Sequence, residues 1–162
     1  IDEAPAPLPQ KRRVLLVEDE EVLLLNYAAS LRQAGYEVFG FSDPSKASTW
    51  LFANEPDILI TDVVMEGMNG LDLAKQCDHQ YPDAPVLVVS GFIPEETMTP
   101  LLAGAWHLLH KPVRNARLVA VVGRLRRQAE RAVRGELDIT KVSYLFPPLE
   151  GLTASGLGFE DR

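Results

Sequence analysis

With 162 residues and a single cysteine, Cys77, the chain has the length for one domain plus tails and cannot build an internal disulfide framework. No apolar run reaches membrane-spanning length and the first residues lack signal-peptide regions, so a soluble, cytoplasmic protein without membrane insertion is expected. The net charge of -7 is unevenly spread: residues 14–112 carry four Lys or Arg against fifteen Asp or Glu, whereas residues 113–134 carry seven Arg against Glu130 alone. Such an acidic body argues against nucleic-acid binding and suits a divalent cation and specific protein partners.

Residues 1–12, with Pro5, Pro7 and Pro9, read as a linker, and a chain that starts at Ile1 is expected to be a fragment or processed product. Val14 to Val17 is a short apolar run that fits a buried strand and ends in Glu18-Asp19-Glu20-Glu21. Leu24, Ala28 and Leu31 recur at helical spacing from Glu20 to Ala34, and Gly35 stops that helix. Tyr36 to Phe41 alternates as a strand does, and Asp43-Pro44 supplies an N-cap and a first helical residue for a helix to about Ala53.

Ile58 to Thr61 is a wholly apolar-faced strand that delivers Asp62 into a loop rich in Gly and Asn, and Leu71 to His79 reads as the next helix. Val86 to Val89 forms another buried strand, ending in Ser90-Gly91. A helix from Pro94 to Ala103 is expected to be distorted by Pro100. Trp106 to His110 is the fifth strand, closed by Lys111-Pro112, and Val113 to Arg134 is a long helix with an apolar face of Leu118, Val121, Val122, Leu125, Ala129 and Ala132.

Five strands alternating with helices, in units too long for hairpins, predict an α/β fold: a doubly wound five-stranded parallel sheet of order 2-1-3-4-5 over residues 13–134. In such a sheet ligands sit at the carboxyl ends of the strands, where Glu18, Asp19, Asp62, Ser90 and Lys111 all fall. Carboxylates converging there repel one another unless a cation shares the site, and an all-oxygen set of this kind suits Mg²⁺. A carboxylate is also a nucleophile toward phosphorus, so a phosphoryl group on Asp62 would meet the metal, the Ser90 hydroxyl and the Lys111 ammonium.

The motifs Val-Leu-Leu-Val-Glu-Asp-Glu, Thr-Asp-Val-Val-Met-Glu-Gly-Met-Asn-Gly, Val-Val-Ser-Gly and His-Lys-Pro, in this order, resemble the receiver domain of two-component response regulators over about residues 13–129. The flavodoxin-like strand order is known for a member of that family, so the predicted order is not independent of the resemblance. The resemblance implies that Asp62 is the phosphorylated aspartate, with Glu18 and Asp19 as the acid pair for Mg²⁺ and the Val64 carbonyl as a further ligand. It also implies that Ser90 contacts the phosphoryl group and that Lys111 pairs with it, beside a cis Lys111-Pro112 bond. The implied partner is a histidine kinase or phosphotransfer protein, and the module is a signalling phosphoacceptor rather than a conventional enzyme.

Three features depart from the family pattern or vary within it. Glu66 stands where Pro is frequent, and Leu108 stands where Tyr or Phe is common and is thought to move inward on phosphorylation. Val64 and Phe92 flank the approach to Asp62 with apolar surface, while Gly91 leaves it open. Arg117, Arg124, Arg127, Arg131 and Arg134 lie opposite the apolar face of the last helix, a charged stripe for solvent, an acidic partner, a membrane surface or a homodimer mate. Residues 135–162 are a tail, either disordered or docking, too short for a winged-helix output domain. The Pro-rich leader suggests the receiver of a hybrid histidine kinase, with a stand-alone regulator or a binding-only pseudo-receiver as alternatives.

Overall fold

The structure is a computed structural model that describes residues 10–93, 95, 99, 103 and 106–135. The strands β1 (Arg13–Val17), β2 (Glu37–Phe41), β3 (Ile58–Thr61), β4 (Val86–Ser90) and β5 (Trp106–His110) form one parallel sheet of order β2-β1-β3-β4-β5. The described helices are α1 (Glu21–Gln33), α2 (Pro44–Ala53), α3 (Gly70–Gln80) and α4 (Asn115–Val133). The helix expected from Pro94 to Ala103 and the tail from 136 onward fall largely or wholly outside the described residues, as do residues 1–9 of the leader.

Alternation along each strand splits the core into two layers. Leu15, Val17, Leu59, Val88 and Leu108 face α2 and α3, where Leu51, Leu73 and Cys77 are buried. Val14, Leu16, Ile58, Ile60 and Leu109 face the opposite way, onto Tyr27 and Leu31 of α1 and Leu118, Val122 and Leu125 of α4. Both faces of the sheet are thus covered, which is why its strands read as continuous apolar runs.

Local signals set the helix ends. Asp43 accepts from the Ser45 amide at 2.9 Å with Pro44 as first helical residue, and Asn69 accepts from the Leu71 amide at 2.8 Å, starting α3 at Gly70 rather than Leu71. Gly35 follows α1 with φ of 102°, a left-handed conformation that frees the chain to enter β2. The entry to the domain is also held: the Arg12 carbonyl accepts from the Glu37 amide at 2.9 Å, and the Arg12 guanidinium lies 2.8 Å from Glu130 of α4.

Candidate functional site

Sheet register brings the strand ends together. Val17 pairs with Thr61 and Ser90 with His110, so Glu18, Asp62, Ser90 and Lys111 emerge side by side at the carboxyl edge. Main-chain bonds extend past the strands and hold these residues: Glu18 N donates to Phe41 O at 3.1 Å, Asp62 N to Val17 O at 3.2 Å, and Lys111 N to Ser90 O at 3.0 Å. The Lys111-Pro112 peptide is cis.

The side chains form one connected cluster. The Lys111 ammonium lies 2.7 Å from both Glu18 Oε2 and Asp62 Oδ2, while Asp62 Oδ1 accepts from the Ser90 hydroxyl at 2.6 Å and from the Val63 amide at 2.7 Å. Glu18, Asp62 and Ser90 are 2 %, 7 % and 1 % exposed, so two carboxylates share a largely dry site with one cation. Asp19, by contrast, is exposed. Carboxylate oxygens of Glu18, Asp19 and Asp62 nonetheless come within 4.8 Å of one another, a spacing that one metal ion can bridge.

Electrostatics follow from this burial. Desolvation is the largest influence on Glu18 and raises its pKa above the ordinary 4.5, against the hydrogen bond and charge of Lys111, which lower it. Burial alone would lower Lys111, but its hydrogen bonds to Asp62 and Glu18 outweigh that and raise it above 10.5. Lys111 is therefore a fixed positive charge. The donor set is hard oxygen throughout, which fits Mg²⁺ better than a softer ion.

Lone-pair accounting shows what Asp62 can still bind. Each carboxylate oxygen accepts about two donors. Among the described residues Oδ1 already takes two and Oδ2 takes one, so Oδ2 has room for a further partner. Ser90 carries a single hydroxyl proton but has two acceptors in reach, Asp62 Oδ1 at 2.6 Å and the Phe92 carbonyl at 2.8 Å. Turning that proton to Phe92 frees a second position, on Oδ1.

Several contributors were not evident as site residues in the sequence. Thr61, fully buried, donates its hydroxyl to the Asp62 carbonyl at 2.7 Å. That carbonyl also lies where a Cβ on Gly70 would sit, 1.7 Å away, so only glycine lets the start of α3 pass the Asp62 backbone. Leu108 is buried in the layer facing α2 and α3. Val64 and Phe92 are 54 % and 37 % exposed, consistent with an apolar rim. Outside the cluster, burial pushes the Cys77 thiol up to about 12 and His107 down to about 4, which suits packing roles.

The family profile described as "Response regulator receiver domain" matches residues 14–123. The chain belongs to the response regulator receiver family. A Bacillus subtilis relative, the transcriptional regulatory protein LiaR, is 34% identical over 113 residues, covering 68% of this chain and 54% of LiaR. The Salmonella typhimurium phosphoglycerate transport system transcriptional regulatory protein PgtA is 33% identical over 111 residues, covering 67% of this chain and 26% of PgtA. The chain therefore spans only part of the length of these regulators. A CheY-like receiver domain protein from Methanospirillum hungatei superposes with a TM-score of 0.71 at 19% identity, covering 76% of this chain and 99% of its own, and shows the shared fold. Vibrio cholerae chemotaxis protein CheY4 superposes with a TM-score of 0.64 at 28% identity, over 72% of this chain and 99% of its own. Among the described residues no helix is long and apolar enough to cross a membrane.

Proposed function

We propose that this receiver accepts a phosphoryl group on Asp62 from the phosphohistidine of a kinase or phosphotransfer protein, and that the modified face then changes its protein partners. The observation that carries this reading is the Asp62 carboxylate itself: Ser90 and Lys111 hold it from two sides beside Glu18 and Asp19, Oδ2 keeps room for one further partner, and a second position opens on Oδ1 when the Ser90 proton turns to the Phe92 carbonyl. Glu18, Asp19, Asp62 and the Val64 carbonyl are the groups that would hold Mg²⁺, which when bound neutralises charge on the phosphoryl oxygens. Lys111 supplies a fixed positive charge to the incoming phosphoryl group, and Ser90 a hydroxyl donor. An attacking Asp62 oxygen forms the acyl phosphate bond as the bond from phosphorus to the donor imidazole breaks.

The Pro-rich leader supports a place within a longer hybrid histidine kinase. The relatives are transcriptional regulatory proteins, and this favours the second reading, a response regulator with an output segment outside the matched region. In either setting the domain promotes its own phosphorylation and dephosphorylation and turns over no other substrate.

Incubation with Mg²⁺ and acetyl phosphate or beryllofluoride tests the site. A stable adduct, located by mass spectrometry and absent in Asp62→Asn, is the expected result. No adduct indicates a binding-only pseudo-receiver, and continuous release of phosphate indicates a hydrolase.

A further inference from the structure

A cavity of about 330 Å³ lies where the end of β5 meets the start of α4. Its lining is apolar on one side, from Leu108, Leu109, Pro112 and Val113, and basic on the other, from Arg114 and Arg117. Both arginines are exposed, and their guanidiniums pair with no group among the described residues. An occupant must therefore bring apolar side chains together with an acid. A bare phosphate or a nucleic-acid backbone would satisfy the arginines but leave the apolar wall facing water.

We infer that residues 144–150 of the same chain fold back along α4 and dock in this cavity. That stretch carries Tyr144, Leu145, Phe146 and Leu149, followed by Glu150, the apolar and acidic groups that the lining calls for. It lies outside the described residues and outside residues 14–123 that match the family, so family membership does not account for it. The reach is sufficient. From Gly135 back to Arg117 the helix measures about 27 Å at 1.5 Å per residue. Val142 and Tyr144 stand seven and nine residues past Gly135, and extended chain of that length spans about 23–30 Å. Gly135 follows α4 with φ of 76°, a left-handed conformation that turns the chain off the helix axis. Charge favours the same path: residues 136–162 carry five Asp or Glu against Lys141 and Arg162, whereas residues 113–134 carry seven Arg against Glu130. Pro147 and Pro148 favour extended backbone, so less entropy is lost when the segment is held. The tether selects this occupant over a separate protein, because residues 136–143 keep it at an effective concentration of about the millimolar level. A second copy presenting the same face would set Arg114 and Arg117 against their own kind. Docked there, residues 144–150 close the cavity to other partners.

The experiment uses the full 162-residue chain with Thr153→Cys and a nitroxide spin label on the new thiol. Cys77 is fully buried, so the label goes to position 153 alone. The amide NMR signals of Leu109, Val113 and Arg117 are expected to lose most of their intensity, while those of Leu51 in α2 and Ala74 in α3 keep theirs. Leu145→Ser with Phe146→Ser removes the apolar anchors and should restore the lost signals. Arg114→Gln with Arg117→Gln should restore them in part, read at Leu109 and Val113. No loss, a loss spread evenly over the surface, or a loss that either variant leaves unchanged overturns the inference. Loss of the same signals in isotope-labelled chain mixed with spin-labelled, unenriched chain also overturns it, and assigns the cavity to the segment of a second copy.

Discussion

Replacing Lys111 with Met keeps a long unbranched side chain but removes the ammonium that lies 2.7 Å from both Glu18 and Asp62. Breaking a buried pair costs about 3–5 kcal/mol when the orphaned charge stays charged. Here the acids have an escape, because Glu18 can bind a proton. Neutralising it costs at most about 1.4 kcal/mol for each pH unit above its ordinary 4.5. That ceiling is about 3.5 kcal/mol at pH 7 and about 1.4 kcal/mol at pH 5.5. The sign follows from Glu18, whose folded pKa is already raised by burial and loses in Lys111→Met the hydrogen bond and charge that hold it down. The folded variant then retains a proton that the unfolded chain has released, so its stability falls as pH rises from 4.5 through the raised value. Lys111 in the parent protein contributes stability fully below 10.5 that is lost only as pH rises through its raised pKa, outside this window. Urea unfolding followed by Trp50 and Trp106 fluorescence should therefore show a deficit of at most about 3 kcal/mol at pH 7 that is smaller at pH 5.5. Added Mg²⁺ should restore more stability at pH 7 in the variant than in the parent, since it supplies the missing cation. A deficit equal at the two pH values, or larger at pH 5.5, would refute the reasoning.

Gly70→Ala places a Cβ 1.7 Å from the Asp62 carbonyl oxygen and 2.9 Å from Thr61 Oγ1, and backbone cannot rotate away. A loss of about 1–3 kcal/mol is expected by urea unfolding, and an unchanged midpoint would contradict it. Trp106→Phe removes a 2.6 Å hydrogen bond to Asp78, whose pKa burial already raises above 3.8. Its carboxyl should then hold its proton to higher pH, giving a destabilisation of about 1–3 kcal/mol that grows between pH 4 and pH 7 in thermal unfolding. Val64→Asn and Phe92→Glu replace apolar rim at the approach to Asp62 with groups that hold water. Loss of radiolabel from the phosphorylated protein should be faster in both, and unchanged decay would remove the rim from the account of phosphoryl lifetime.

How far the sequence exposes the site depends on what backbone geometry alone determines. Four apolar runs that end in polar residues, read as parallel strands, place Glu18, Asp62, Ser90 and Lys111 together because neighbouring strands lie about 4.8 Å apart. The bounds of β3 and β5 agree with the periodicity, and α3 begins only one residue earlier than its apolar pattern indicates. Side-chain reach is a different matter. Glu18 and Asp19 read as an equivalent pair, yet successive residues leaving a strand point to opposite sides, and one is sealed against Lys111 while the other faces solvent.

Lys111 shows the same limit from the cation's side. Its position at a strand end is legible, but whether it points to a future phosphoryl group or bridges the acids already present depends on rotamers and on charge balance in a dry pocket. The structure shows the bridge, with both contacts at 2.7 Å. Gly70 carries no motif beyond a glycine in a loop, since the feature that requires it is the Asp62 carbonyl brought against it by the fold. The contact of Arg12 with Glu130 joins residues near the two ends of the described chain, and no local pattern encodes such a pair. Two long, flexible side chains meet there only because β1 and α4 enter and leave the domain at the same end of the sheet. A pattern of apolar spacing can place those backbones but says nothing of which charged tips will touch.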